Sequence, residues 1–117
     1  MATQQRFTAL IPNTYDYALG KLHKGIACDY PLAGMNLGAI KDTHASINQA
    51  LIARYGSLRS APGGDSAFQI TYILDRFTHW VSQHCLAGNE DAYVFLTALE
   101  AHGKALFEVL HELDETN

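Results

Sequence analysis

The chain has 117 residues, of which 48% are hydrophobic and 17% are charged, and its formal net charge is −4. This length is usual for one domain, and the apolar fraction is sufficient for one hydrophobic core. We therefore expect a single helical domain over residues 1–117. The low charged fraction leaves apolar side chains on the surface of so small a domain, which favours contact with a partner protein or a second copy.

The sequence contains no apolar run close to the roughly 20 residues that a membrane-spanning helix requires. Its first residues, MATQQRF, have neither the basic segment nor the apolar stretch of a secretory signal. The two cysteines, Cys28 and Cys85, are too few for a disulfide framework and are typical of small packed residues in a reducing compartment. We expect a cytoplasmic protein that does not bind membranes.

The two halves of the chain carry opposite charge. Up to residue 62 there are six basic and three acidic residues, whereas from residue 63 onward there are two basic and nine acidic residues. This division favours packing of one half on the other, head-to-tail association, or the docking of a basic partner on the last helix. It argues against general affinity for nucleic acids, which requires a dense basic face.

Helix-terminating residues divide the chain into four amphipathic segments after a short N-terminal segment. Helical spacing of apolar residues predicts a first helix over residues 14–28 and a second over residues 37–55. Asn36 is the predicted N-cap of the second helix, and Gly56 ends it. Phe7, Ala9 and Ile11 alternate with other residues, but a lone strand has nothing to pair with, so we expect an extended segment packed on the helices.

The stretch GSLRSAPGGDS, residues 56–66, is predicted to be a flexible loop. Asp65 or Ser66 is expected to cap the third helix, and Gly88 to end it. Asn89 then caps the fourth helix, which is predicted to reach about Leu113. Because the last link is so short, helices three and four should form an antiparallel hairpin. The predicted fold is all-α: a four-helix up-and-down bundle with a short extended N-terminal segment.

The fourth helix contains a Glu-x-x-His sequence, Glu108 to His111, which is the spacing used by di-iron helical bundles. A helical projection places both side chains on the charged face of the helix, together with Lys104 and Glu100. A second Glu-x-x-His sequence and two further core glutamates are absent. The pair is therefore predicted to lie on the surface, and we expect no metal and no cofactor there.

Other histidines fall on the apolar sides of their helices. In an up-and-down bundle, His23, His44 and His102 are predicted at similar heights along the axis, whereas His84 lies near the turn at Gly88. Three neutral imidazoles at one level are a hypothetical site for a metal or another ligand. Because a histidine on an apolar face is more often a packed residue with hydrogen-bond partners, this cluster is the alternative hypothesis.

The candidate interface has two parts. Phe68 and Tyr72 fall on the otherwise polar side of the third helix, where a lone chain would leave them exposed. We expect this side to be covered by the N-terminal segment or by another chain. The apolar connector between helices one and two supplies three further candidates, Tyr30, Leu32 and Met35.

No nucleophile motif, phosphate-binding loop or catalytic cysteine signature occurs in the sequence. The sequence is interpreted as a small non-enzymatic protein-interaction module, of the regulator, inhibitor or adaptor type, that binds another protein as a homo-oligomer. The alternative is a helical-bundle ligand or metal binder that uses the histidines above. A weaker alternative is a helix-turn-helix DNA binder formed by the first two helices, for which Lys41 and Arg54 provide few contacts.

Overall fold

The computed structural model of the chain describes residues 6–11, 14–27, 36–84 and 89–115. They form four α-helices, α1 (Thr14–Ala27), α2 (Leu37–Tyr55), α3 (Gly64–His84) and α4 (Asn89–Glu115), preceded by a 3-10 turn at Thr8–Leu10. Each helix packs against the next, and α4 also packs against α1. This closed order is that of an up-and-down four-helix bundle, so the predicted all-α fold is confirmed.

The helix bounds follow the sequence signals closely. The predicted span of α2 agrees with the structure at both ends, while α1 ends one residue earlier and α4 two residues later than predicted. Asn36 occupies the N-cap position of α2 but makes no side-chain capping bond. Gly56 ends α2 with a φ of 90°, a backbone conformation that glycine adopts without steric cost.

One hydrophobic cluster fills the space between the helices. Its members come from all four apolar stripes predicted from the sequence, and Phe7 joins them from the N-terminal segment. Helix α4 has 27 residues, which corresponds to about 40 Å at 1.5 Å per residue, and the molecule measures 45 × 26 × 20 Å. Helix α4 therefore runs almost the full length of the bundle. The largest fully buried side chains are Leu22, Ile26, Ile40, Ile47, Leu51, Ile70, Phe77, Leu96, Leu99, Leu106 and Leu110.

An aromatic cluster joins α3 to α4. The ring of Phe77 stacks against Phe95 with a centroid separation of 5.7 Å, and Trp80 lies 6.1 Å from Phe77. Offset aromatic pairs at such separations contribute roughly 0.5–1.5 kcal/mol beyond the burial of their area. The aromatic cluster therefore holds α4 against the C-terminal half of α3.

The connection between α2 and α3 is a hydrogen-bonded turn over residues 56–63, shorter than the predicted loop over residues 56–66, because residues 64–66 already belong to α3. The Ala61 N–H donates to the Leu58 carbonyl at 3.1 Å, and the Gly64 N–H donates to the Ala61 carbonyl at 3.0 Å. Helix α3 begins at Gly64, which places Asp65 in its first turn and corrects the predicted cap. The backbone hydrogen bonds of the turn continue directly into α3, where the Ala67 N–H donates to the Gly63 carbonyl at 3.0 Å, so the helix begins before Asp65.

The N-terminal segment (residues 6–11) forms a turn that packs against α2 and α4, which corrects the expectation of an extended segment. Phe7 is 3% exposed. The carboxylate of Asp114, which is 1% exposed, accepts hydrogen bonds from the Phe7 N–H at 2.6 Å, the Thr8 N–H at 2.7 Å and the Thr8 hydroxyl at 2.6 Å. These bonds to the last turn of α4 hold the segment against the end of the bundle.

Within the described residues, no helix is both long enough and apolar enough to cross a membrane.

Candidate protein-interaction surface

The two predicted interface residues on α3 stay exposed in the single chain. Phe68 is 59% exposed and Tyr72 is 56% exposed. The described part of the N-terminal segment, residues 6–11, does not cover them, because it packs on α2 and α4. Coverage by another chain remains a prediction. Tyr30, Leu32 and Met35, the other interface candidates, lie outside the described residues.

A hydrogen bond between α2 and α3 establishes which residues lie side by side on the surface. The Asn48 Nδ2 donates to the Thr71 Oγ1 at 2.8 Å. Ile52 lies one turn after Asn48 and Phe68 one turn before Thr71, and both steps lead toward the short connection between the helices. The two apolar side chains are therefore at the same level, and Ile52 is 45% exposed.

These three side chains form one apolar surface, which we call the α2–α3 face (Ile52, Phe68 and Tyr72). On a helical projection Phe68 lies within about 60 degrees of Thr71, on the side of α3 that faces α2. Tyr72 follows Phe68 by one turn on the same strip of the helix. Contiguous apolar exposure of this kind is typical of a protein contact site.

Charged residues flank the α2–α3 face along α3. Asp65 precedes Phe68 by one turn, and Arg76 follows Tyr72 by one turn; both side chains are exposed. Asp75 is exposed as well, on the other side of the strip. An apolar centre with charges at its edge has the composition of a protein interface, whose rim is polar and solvent-accessible.

The Glu-x-x-His pair lies on the surface, as its position on the helix predicted. Both Glu108 and His111 are exposed, and the His111 Nε2 lies 3.3 Å from a carboxylate oxygen of Glu115. The His111 ring also stacks on Phe107 at a centroid separation of 6.4 Å. An exposed pair one turn apart on a helix contributes a few tenths of a kcal/mol at most.

The three histidines of the alternative hypothesis lie in different environments. His23 pairs with Glu100 across the α1–α4 contact and stacks on Tyr93 at a centroid separation of 6.1 Å. His44 is 3% exposed, and burial lowers the pKa of its imidazole to about 4. His102 is half-buried on α4.

The described side chains include no group of three or more His, Cys, Asp or Glu residues that could hold a metal ion. His23, His44 and His102 are therefore not brought together in one site. Similar height along the axis is insufficient, because α2 and α4 lie diagonally across the bundle. The side chain of His84 lies outside the described part of the chain.

A shallow groove of about 680 Å³ lies where the N-terminal segment meets α2. Two guanidinium groups lie over the same aromatic ring there: the Cζ of Arg6 is 5.6 Å and the Cζ of Arg54 is 5.4 Å from the centroid of Phe7. Cation–π contacts of this kind contribute roughly 0.5–1 kcal/mol at exposed positions. The sequence contains no signal for this contact or for the Asp114 hydrogen bonds, because no local pattern connects residues so far apart in the chain.

Comparison of the chain with protein-family models, with curated proteins and with solved structures finds no significant match. Among the described residues, Ile52, Phe68 and Tyr72 are three of the exposed large apolar side chains, and they lie on adjacent parts of α2 and α3.

Proposed function

We propose that this protein is a small non-enzymatic interaction module, of the regulator, inhibitor or adaptor type, that binds another protein through the α2–α3 face. The observation that carries the proposal is the exposure of Phe68 and Tyr72, two aromatic side chains one turn apart on α3. Aromatic side chains are enriched at protein interfaces, and each that becomes fully buried contributes on the order of 1.5–3 kcal/mol.

The occupant of the α2–α3 face is a protein surface with an apolar centre. Ile52 extends the apolar area from α3 onto α2, so the contact spans two helices rather than one. The exposed charges of Asp65, Asp75 and Arg76 lie around it and select partners by charge, since like charges placed opposite each other weaken a complex.

The metal-binding and DNA-binding hypotheses have weaker support. The Nε2 of His23 already pairs with a carboxylate oxygen of Glu100 rather than facing His44 or His102. Helices α1 and α2 are separated by residues 28–36, a longer connection than the three or four residues of a typical helix-turn-helix. Arg54 is one of the two residues considered for DNA contact, and its guanidinium lies over the rings of Phe7 and Tyr55.

The proposal is tested by affinity purification from the native cell with three forms of the tagged chain. They are the wild type, a variant with Phe68→Ser and Tyr72→Ser, and a control with Val94→Ser, which alters an exposed apolar residue of α4. We expect one protein to be retained by the wild type and the control and to be lost from the double variant. Purified separately, that protein should bind the wild type at least about tenfold more tightly than the double variant.

Retention of the same proteins by all three forms would contradict the proposal. Circular dichroism of the double variant provides the folding control, because substitutions at exposed positions should leave the helix content unchanged.

A further inference from the structure

We infer that a second copy of this chain occupies the α2–α3 face, and that two α3 helices pack antiparallel about a two-fold axis that crosses the exposed strip midway between Phe68 and Tyr72. The inference rests on the proposed function, since it names the protein that this face binds. It is carried by the order of apolar and charged residues along the exposed strip of α3.

The apolar residues on this strip can pair with themselves. When α3 is opposed to an antiparallel copy, Phe68 of one chain meets Tyr72 of the other, and the two-fold axis repeats this contact. Ile52 of each chain lies level with its own Phe68 and widens the apolar area on the α2 side. Four exposed aromatic rings are thereby withdrawn from water.

The charged residues are complementary under the same symmetry operation. Asp65 and Arg76 stand at nearly equal distances from the centre of the Phe68–Tyr72 pair, in opposite directions along the helix. On a helical projection both lie on the same side of that pair, about 40 and 60 degrees from its centre. A two-fold axis perpendicular to both helices keeps corresponding sides together, so Asp65 of each chain meets Arg76 of the other.

Asp75 does not disturb this arrangement. It lies about 40 degrees from the centre of the Phe68–Tyr72 pair on the opposite side, away from Asp65 of the second copy. Like-charge contact is thus avoided, while two opposite-charge contacts form at the two ends of the apolar strip. Such contacts add little affinity but determine register and orientation, which a strip of aromatic residues alone does not determine.

The predicted dimer is tested with two charge-reversal variants of the full chain, Asp65→Arg and Arg76→Asp. Sedimentation equilibrium from micromolar to millimolar protein should show a reversible dimer for the wild type. Each variant alone should dimerise roughly tenfold more weakly, because both end contacts then join like charges. An equal mixture of the two should form a heterodimer with a Kd close to that of the wild type, since opposite charges again meet at both ends.

Two outcomes would overturn the inference: a wild-type chain that stays monomeric throughout this range, or a mixture that associates no better than the separate variants. The Phe68→Ser and Tyr72→Ser variant should also be monomeric, whereas Val94→Ser should dimerise normally. If the wild type is monomeric but binds a different purified protein, and the Phe68→Ser and Tyr72→Ser variant does not bind that protein, the second copy is excluded and the proposed function stands. If neither self-association nor partner binding depends on these residues, both fail.

Discussion

At the scale of single residues, the absence of a side chain at position 64 allows the turn before α3 to close. A Cβ atom on Gly64 would lie 1.7 Å from the carbonyl oxygen of Leu58, far inside van der Waals contact. Gly63 has a φ of 73°, a left-handed conformation that residues with a side chain rarely adopt, and a Cβ atom there would lie 3.1–3.2 Å from side-chain atoms of Val109 and Leu106 of α4. Close backbone packing therefore requires glycine at position 64, whereas the positive φ favours glycine at position 63.

Alanine substitution should separate a glycine that is required from one that is not. Gly64→Ala forces the backbone of the turn to move and should lower the free energy of unfolding by at least about 2 kcal/mol. Gly20→Ala, in the exposed middle of α1 with nothing near its Cβ, should raise it by about 0.5–1 kcal/mol. Urea denaturation at neutral pH measures both, and a Gly64→Ala variant as stable as the wild type would contradict the packing described for this turn.

At the scale of elements, the N-terminal segment depends on one carboxylate of α4. Burial raises the pKa of Asp114, but hydrogen bonds from the Phe7 N–H and from the hydroxyl and N–H of Thr8, with the charge of Arg6, outweigh it. The net effect is a pKa below the ordinary value of an aspartate. The ionised form is therefore the one that holds the segment in place.

Removal of this carboxylate should release the segment. Asp114→Ala leaves the buried N–H of Phe7 without its acceptor and should lower the free energy of unfolding by about 2–4 kcal/mol. Glu112→Ala, at an exposed position of the same helix, should change it by less than about 0.5 kcal/mol. Urea denaturation measures stability, and hydrogen exchange should show faster exchange of the Phe7 and Thr8 amides only in the Asp114 variant.

The lowered pKa of Asp114 determines how the stability difference between the wild type and the Asp114→Ala variant depends on pH. The contribution of Asp114 is complete above its unfolded-state pKa of about 3.8 and is lost as pH falls through the lower folded-state pKa. The stabilities of the wild type and the Asp114→Ala variant should therefore converge only in strong acid. Convergence already at pH 6 would show that another group is responsible.

At the scale of the whole molecule, His44 makes the stability of the bundle sensitive to weak acid. The unfolded chain binds a proton at this residue near pH 6.5, whereas burial lowers the folded-state pKa to about 4. Stability is therefore complete above pH 6.5 and decreases as pH falls from 6.5 toward 4. The expected loss over this range is on the order of 3 kcal/mol.

Substitution of His44 should remove this loss of stability in weak acid. The free energy of unfolding of His44→Gln should change less between pH 7 and pH 4.5 than that of the wild type, by roughly 2–3 kcal/mol. His79→Gln, at an exposed position of α3, serves as the control and should retain the wild-type dependence. Equal pH dependence in all three proteins would show that His44 is protonated as readily in the folded chain as in the unfolded one.

Residues close together in the chain account for most of what was predictable. The spacing of Ile40, Ile47 and Leu51 identified the buried side of α2, and Gly56 marked its end, because helical hydrogen bonds and apolar periodicity act over a few residues. The same reasoning placed His111 on the surface. For Phe7 it failed, because an alternating pattern does not reveal that its N–H bonds to an aspartate 107 positions away.

The amino-acid sequence alone thus determined the four helices, their buried faces and the exposure of Phe68 and Tyr72, since each depends on local geometry. Only the tertiary structure decided the conformation of the N-terminal segment, the separation of His23, His44 and His102, and the register that places Ile52 beside Phe68. These features depend on contacts between helices, such as the Asn48–Thr71 hydrogen bond, whose partners are close in space only after the bundle has packed.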